Sequence, residues 1–166
     1  STDPAKSLRS VTGAGLYTTT ETSTAEGDIT YSAPLSTKSV TVSYVVKNGS
    51  GTVLQNEPVT VYTTWTNVND GSVTPLSGAD YATVYRSNSD GVVTFTITNT
   101  SPVAGSSAAI TTSGKAANAW GTITVNWAVP SVSSTNSVVD AASFKAAAAS
   151  TVKFGITVKD QFNNPM

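Results

Sequence analysis

Apolar residues at every second position mark most of this chain as strand. Val40, Val42, Tyr44 and Val46 alternate with Thr41, Ser43 and Val45; Val93, Phe95 and Ile97 alternate with Thr94, Thr96 and Thr98; Ile123, Val125, Trp127 and Val129 alternate with Thr122, Thr124, Asn126 and Ala128. A two-residue period puts successive side chains on opposite faces of a sheet, so each run predicts a strand with one dry face and one wet face. Val59, Val61, Thr63 and Trp65 predict a fourth strand, 81–86 a fifth and 108–112 a sixth. Clusters of Gly, Asn, Asp and Ser at 47–51, 67–71, 87–91 and 113–114 separate the runs with turn chemistry. Short strands at such intervals, with no helical period before Asp140, predict an all-β fold: an antiparallel β-sandwich of two sheets. The dry phase predicts a core of Val40, Val42, Tyr44, Val46, Val61, Trp65, Val93, Phe95, Ile97, Ile123, Val125 and Trp127.

The flanks carry weaker patterns. Residues 1–10 have the look of a loose leader, and the Thr-rich stretches 16–24 and 29–35 suit either edge strands or an extended arm. Residues 131–139 form a Ser-rich linker. For 140–149 two readings stand: Asp140 and the alanines 146–149 favour a short helix, but about ten residues are too few for a helix to hold without packing, so an extended connector is favoured. The division expected is therefore an arm at 1–35, a sandwich at 36–130, a Ser/Ala-rich linker at 131–150 and a separate strand at 151–166. That last strand repeats an earlier one. Val152, Phe154, Ile156, Val158, Lys159 and Asp160 follow Val40, Val42, Tyr44, Val46, Lys47 and Asn48 at a constant step of 112, about the length of one sandwich module, which predicts the opening strand of a second sandwich.

Composition narrows the chemistry. There is no Cys and no His, so disulfides, thiolate or imidazole metal sites, Cys nucleophiles and triads with an imidazole base are all excluded. Charged residues make up 11% and the net charge is −1, which offers neither a basic field for nucleic acid nor a polybasic anchor for anionic lipid. No apolar run has the length of a membrane span. Ser and Thr instead supply roughly 30% of the residues, far above ordinary usage. Starting at Ser1 without an apolar signal core, the chain is expected to be a mature secreted product or to begin at a chosen boundary.

The stretches VTVSYVVKNGSGTVLQNEPVTVY (40–62), SNSDGVVTFTIT (87–98) and 121–129 resemble bacterial Ig-like domains of the invasin and intimin type, and VKFGITVKDQFNNP (152–165) is similar to the opening of the same module. The likeness covers about 90 residues, the size of one such module, and rests on turn chemistry and alternation. It implies an Ig-like sandwich with no catalytic residues. It also implies an extracellular place in a surface-layer protein, an adhesin or a multidomain enzyme. The function expected is that of a structural module in a bacterial cell-surface assembly, a surface-layer array above all, secreted and working through contacts with neighbouring copies. The alternatives are an adhesin or carbohydrate-binding spacer that meets a cell-wall or surface glycan, and a fibre subunit that donates its last strand. No enzyme activity is expected.

Several residues could still carry chemistry. Calcium has candidate oxygens on Asn67, Asn69 and Asp70, and on Asp160 beside Asn163 and Asn164, against the plainer reading of Asx-turns. The carboxylates Asp3, Asp28, Asp70, Asp80, Asp90, Asp140, Asp160, Glu21, Glu26 and Glu57 sit mostly in turns, not in the facing pair a glycosidase needs. Tyr62 and Trp120, with Tyr81 and Tyr85, could build a sugar-stacking platform. Lys38, Lys47, Lys153 and Lys159 could crosslink to an amide or acid if buried, but suit solvated edges better. Asn48 and Asn99 satisfy the N-glycosylation triplet. The interaction surface expected is the dry phase of the last strand: Val152, Phe154, Ile156 and Val158.

Overall fold

A computed structural model describes residues 1–74, 82–114, 120–140, 143 and 145–166. Eleven strands are present among them: β1 (Leu8–Thr12), β2 (Ile29–Pro34), β3 (Ser39–Val45), β4 (Pro58–Thr66), β5 (Gly71–Thr74), β6 (Ala82–Arg86), β7 (Val92–Asn99), β8 (Ser107–Gly114), β9 (Ile123–Ala128), β10 (Val138–Val139) and β11 (Ile156–Thr157). The fold is an all-β sandwich. One sheet runs β1-β3-β7-β5 and the other β2-β9-β8-β4-β6, while β10 and β11 form a separate two-stranded ribbon. Neighbours within the two large sheets are antiparallel except β2 and β9, which run parallel from Ile29 opposite Ile123 to Pro34 opposite Ala128.

The alternation read from the sequence decides which face is inside. Val40, Val42 and Tyr44 of β3, Val93, Phe95 and Ile97 of β7, and Ile123, Val125 and Trp127 of β9 are all buried, and the intervening Thr and Ser stay on the wet face. The two dry faces meet through specific side chains. Tyr85 of β6 stacks on Phe95 of β7 with centroids 5.4 Å apart, and the Tyr44 and Thr112 hydroxyls, from β3 and β8, lie 3.0 Å apart. Trp127 donates its indole N–H to the Thr37 carbonyl at 2.7 Å, so its one polar atom is satisfied in the core. On the outside, Thr41 and Thr96 pair their hydroxyls at 2.9 Å and Ser39 and Thr98 at 3.4 Å, an adhesive hydroxyl ladder across β3 and β7.

Four expectations are corrected by packing. The segment expected as a loose leader is tied down: Thr2, Ser7 and Arg9 are buried, Asp3 donates its amide to the Lys47 carbonyl, and β1 pairs along β3 from Leu8 opposite Val45. Trp65 is only half buried, because it lies at the end of β4 across the backbone of Gly71, where a β-carbon would sit 2.6 Å from its ring. Trp120, expected at the surface, is buried edge-on against Tyr44 with centroids 5.2 Å apart. Tyr85 points inward as well, since β6 pairs with β4 in a register that turns Thr83 and Tyr85 to the core. Strand β5 was not foreseen, and 131–139, expected as linker, contains β10. Tyr81 and the core of the helix question, at 141, 142 and 144, lie outside the described residues, as does Asp80.

Candidate interaction surface

Apolar surface is unevenly distributed. Val132, Val138, Val139, Val152, Phe154 and Ile156 are all well exposed within 131–166, a denser set than Leu8, Val53, Tyr62, Val84, Val103 and Val129 make over the described residues of 1–130. Of the four residues expected to interact, Ile156 is 59% exposed, Phe154 54% and Val152 41%, while Val158 is half buried. The strand that carries them is shorter than its pattern: only Ile156 and Thr157 pair, with Val139 and Val138 of β10. Burial of a comparable face in the first sandwich shows that the pattern alone does not determine exposure. Tyr44, at the position matching Ile156, is fully buried.

The match extends to the backbone. Asn48 accepts the amides of Ser50 and Thr52 on its Oδ1, at 3.0 Å each; Asp160 accepts those of Phe162 and Asn164, at 2.9 Å each. Leu54 donates to the Val46 carbonyl at 2.9 Å, and Met166 to the Val158 carbonyl at 3.0 Å. Gly51 and Asn163 both take the left-handed conformation that this turn requires, residue types that tolerate a positive φ. A third turn, from Asn88 to Val92, uses the same Asx chemistry, so the turn by itself is generic. The clasp around it is not. Lys47 donates its amide to the Ser7 hydroxyl and accepts the Asp3 amide on its carbonyl; Lys159 does the same with Ser137 and Ser133. The pairing of β10 with β11 then repeats that of β1 with β3, with Val139 in the place of Arg9 and Ile156 in the place of Tyr44.

The second clasp is fastened to the first sandwich by side chains with no counterpart in the first. Gln161, where the earlier turn has Gly49, accepts the Ser131 amide at 2.6 Å and donates to the Val129 carbonyl. Asn136 donates to the Asp160 carbonyl at 2.8 Å and accepts the Tyr17 hydroxyl at 3.2 Å. Between the two parts opens a cleft of about 440 Å³, lined by Thr18, Thr20, Thr30, Thr135, Asn136 and Gln161 among others. Sequence reasoning missed Tyr17, Asn136 and Gln161, because polar residues in loops carry no period. The one signal available was the departure of Gln161 from Gly49 within the repeat.

The remaining candidates are placed as follows. Oδ1 of Asp160 is taken by two amides of its own turn, and Asn67 has a positive φ and donates to the Gly105 carbonyl at 3.3 Å. Among the described residues no three Asp or Glu side chains converge. Tyr62 is exposed, without Trp120 or Tyr85 beside it on the surface. Asn99 is buried, leaving no room for a glycan on the folded chain, and Lys159 donates from Nζ to the Asn163 side chain at 3.1 Å. Two inward groups are electrostatically notable. Arg9 is 5% exposed and donates from Nη1 to the Gly27 carbonyl at 3.0 Å, with Nε and Nη2 unpaired among the described residues. Tyr31 is pushed up to about 12 by burial, by the nearby Glu21 charge and by its hydrogen bond to that carboxylate, with Arg9 opposing. No protein-family model matches the chain, and comparison with the curated proteins finds no match.

Proposed function

We propose that this chain is a structural piece of a bacterial cell-surface assembly, a surface-layer array above all, built from Ig-like modules and acting through protein contacts. The observation that carries the reading is the repeated clasp: a second copy of the β1–β3 opening, fastened to the first sandwich by the Tyr17–Asn136 and Gln161–Val129 hydrogen bonds, is what a chain of stacked modules needs at each joint. The strand order supports the Ig-like part, since a first strand divided between the two sheets, with β2 parallel to the last strand β9, is compatible with that architecture; β5 preceding β6 is a departure from its usual order. Low charge and hydroxyl-coated faces let modules lie side by side without strong repulsion, and the lack of Cys and His removes thiol redox chemistry and imidazole titration from the chain. Negative-stain microscopy of the purified chain tests it: ordered sheets or fibres are expected. Dispersed monomers at every concentration, with or without calcium, would remove the array reading.

A second reading has one observation of its own. The hydroxyl-lined cleft at the joint offers Thr, Asn and Gln side chains of the kind that hydrogen-bond a neutral sugar. That favours a glycan-binding spacer, and titration with cell-wall oligosaccharides, reading the amides of Thr30 and Thr135, distinguishes it from the array.

A further inference from the structure

We infer that residues 131–166 are the first strand, second strand and connecting turn of a second sandwich, and that the face carrying Val139, Ile156 and Val158 is a docking surface for a strand set with the pattern of 55–129. The inference rests on the modular reading but makes a narrower claim: it names what covers this surface and in which register. In the first sandwich the same backbone scaffold is covered on that face. Tyr44 meets Trp120 and Thr112 from across the core, and β3 takes β7 along the edge away from β1, with Val93 opposite Tyr44 and Ile97 opposite Val40. Arg9, Tyr44 and Val46 are buried there as a result. In the second copy the corresponding Val139 and Ile156 are 47% and 59% exposed, and the ribbon ends at β11 on the edge where β7 would add.

A two-stranded ribbon is marginal alone, and an apolar face on an open strand edge is a template for an incoming strand. The chemistry of that strand follows from the face. It must alternate apolar and hydroxyl residues, as β7 does, and run antiparallel to β11. It must also tolerate two exchanges. Ile156 has no hydroxyl, so the position matching Thr112 should be apolar and not left with an unpaired hydroxyl. Val139 has no charge, so the new module does not inherit the half-satisfied guanidinium that Arg9 brings to the first.

The test is to append a second copy of 55–129 directly after Met166 of the full chain, with the residue matching Thr112 changed to Val in the appended copy. Amides of Ile156 and Val158 should then exchange at least about a hundredfold more slowly than in the parent, and a second unfolding transition should appear. The double change Val139→Thr and Ile156→Thr separates docking from failure of the appended piece. It should leave the parent unchanged, since these side chains are 47% and 59% exposed there, and lower the second transition of the fusion. If the amides exchange as in the parent, or the double change leaves the second transition where it was, the proposal is overturned. Concentration-dependent protection of Ile156 in the parent itself would also overturn it, because the occupant would then be a second copy of this chain. The two readings fail separately, since absent arrays under the microscope together with a protected Ile156 in the fusion remove the array and leave the docking face standing.

Discussion

At the scale of single residues, position on the two-residue period decides what a substitution costs. Phe95 is buried, with Tyr85 stacked on it, whereas Thr96, its neighbour in sequence, faces outward and shares a hydroxyl contact with Thr41. Phe95→Ala should cost about 3–5 kcal/mol, the range for truncating a buried aromatic, and Thr96→Ala well under about 1 kcal/mol, as chemical denaturation of the two variants will measure. Tyr31 gives the pH dependence. Its phenol is raised to about 12 in the folded chain, above the ordinary value of 10.0, so folding favours the neutral form. Its contribution is complete below pH 10 and is lost as pH rises toward 12. Unfolding free energy should therefore fall over that window, and the fall should be shallower in Tyr31→Phe. An equal slope in both proteins would place the alkaline sensitivity elsewhere, Tyr44 and Tyr85 being raised by burial too.

At the scale of elements, turns are interchangeable where their acceptor geometry is kept. The turn after β3 is held by an Asn and the turn after β11 by an Asp, each taking two backbone amides on one Oδ1. Asn48→Asp should accordingly be close to neutral. Asn48→Ala should lose about 1 kcal/mol, comparable to loss of a side-chain cap, because two amides then lack their acceptor. Thermal unfolding of both variants checks this, and equal melting temperatures for wild type and Asn48→Ala would count against the turn's role. The left-handed position is narrower: Gly51 and Asn163 fill it in the two clasp turns, and in the third turn the surroundings leave room for glycine. Gly91, at φ 75°, lies with its would-be β-carbon 3.1 Å from the Val46 carbonyl oxygen, so strain and crowding coincide there.

Across the whole molecule, the first sandwich and the fragment after it differ in how much of their apolar surface is covered. The joint between them is polar, with hydrogen bonds from the Tyr17 hydroxyl to Asn136 and from the Gln161 amide to the Val129 carbonyl. Such contacts order the fragment without adding much to the stability of the sandwich core. Gln161→Ala with Asn136→Ala should therefore speed exchange of the Ser131 amide while leaving the unfolding free energy of the first sandwich within about 0.5 kcal/mol of wild type. A large fall in that free energy would show the fragment to be part of the sandwich's own core.

Alternation is a local property, and it was enough to determine the all-β class, six of the strands, the dry face of β3, β7 and β9, and the step of 112 between Lys47 and Lys159. A β-strand reports its two faces through its own residues, so no partner needs to be known. Pairing is different. The parallel match of β2 with β9, the capture of residues 1–12 by β3 and the inward turn of Tyr85 and Trp120 depend on residues far along the chain, and Leu8, Arg9 and Val11 have no clean period to announce them. Exposure of Ile156 against burial of Tyr44 is the clearest case. The two positions share a pattern and a backbone scaffold, and only the presence or absence of a second sheet across the face separates a core residue from an open one.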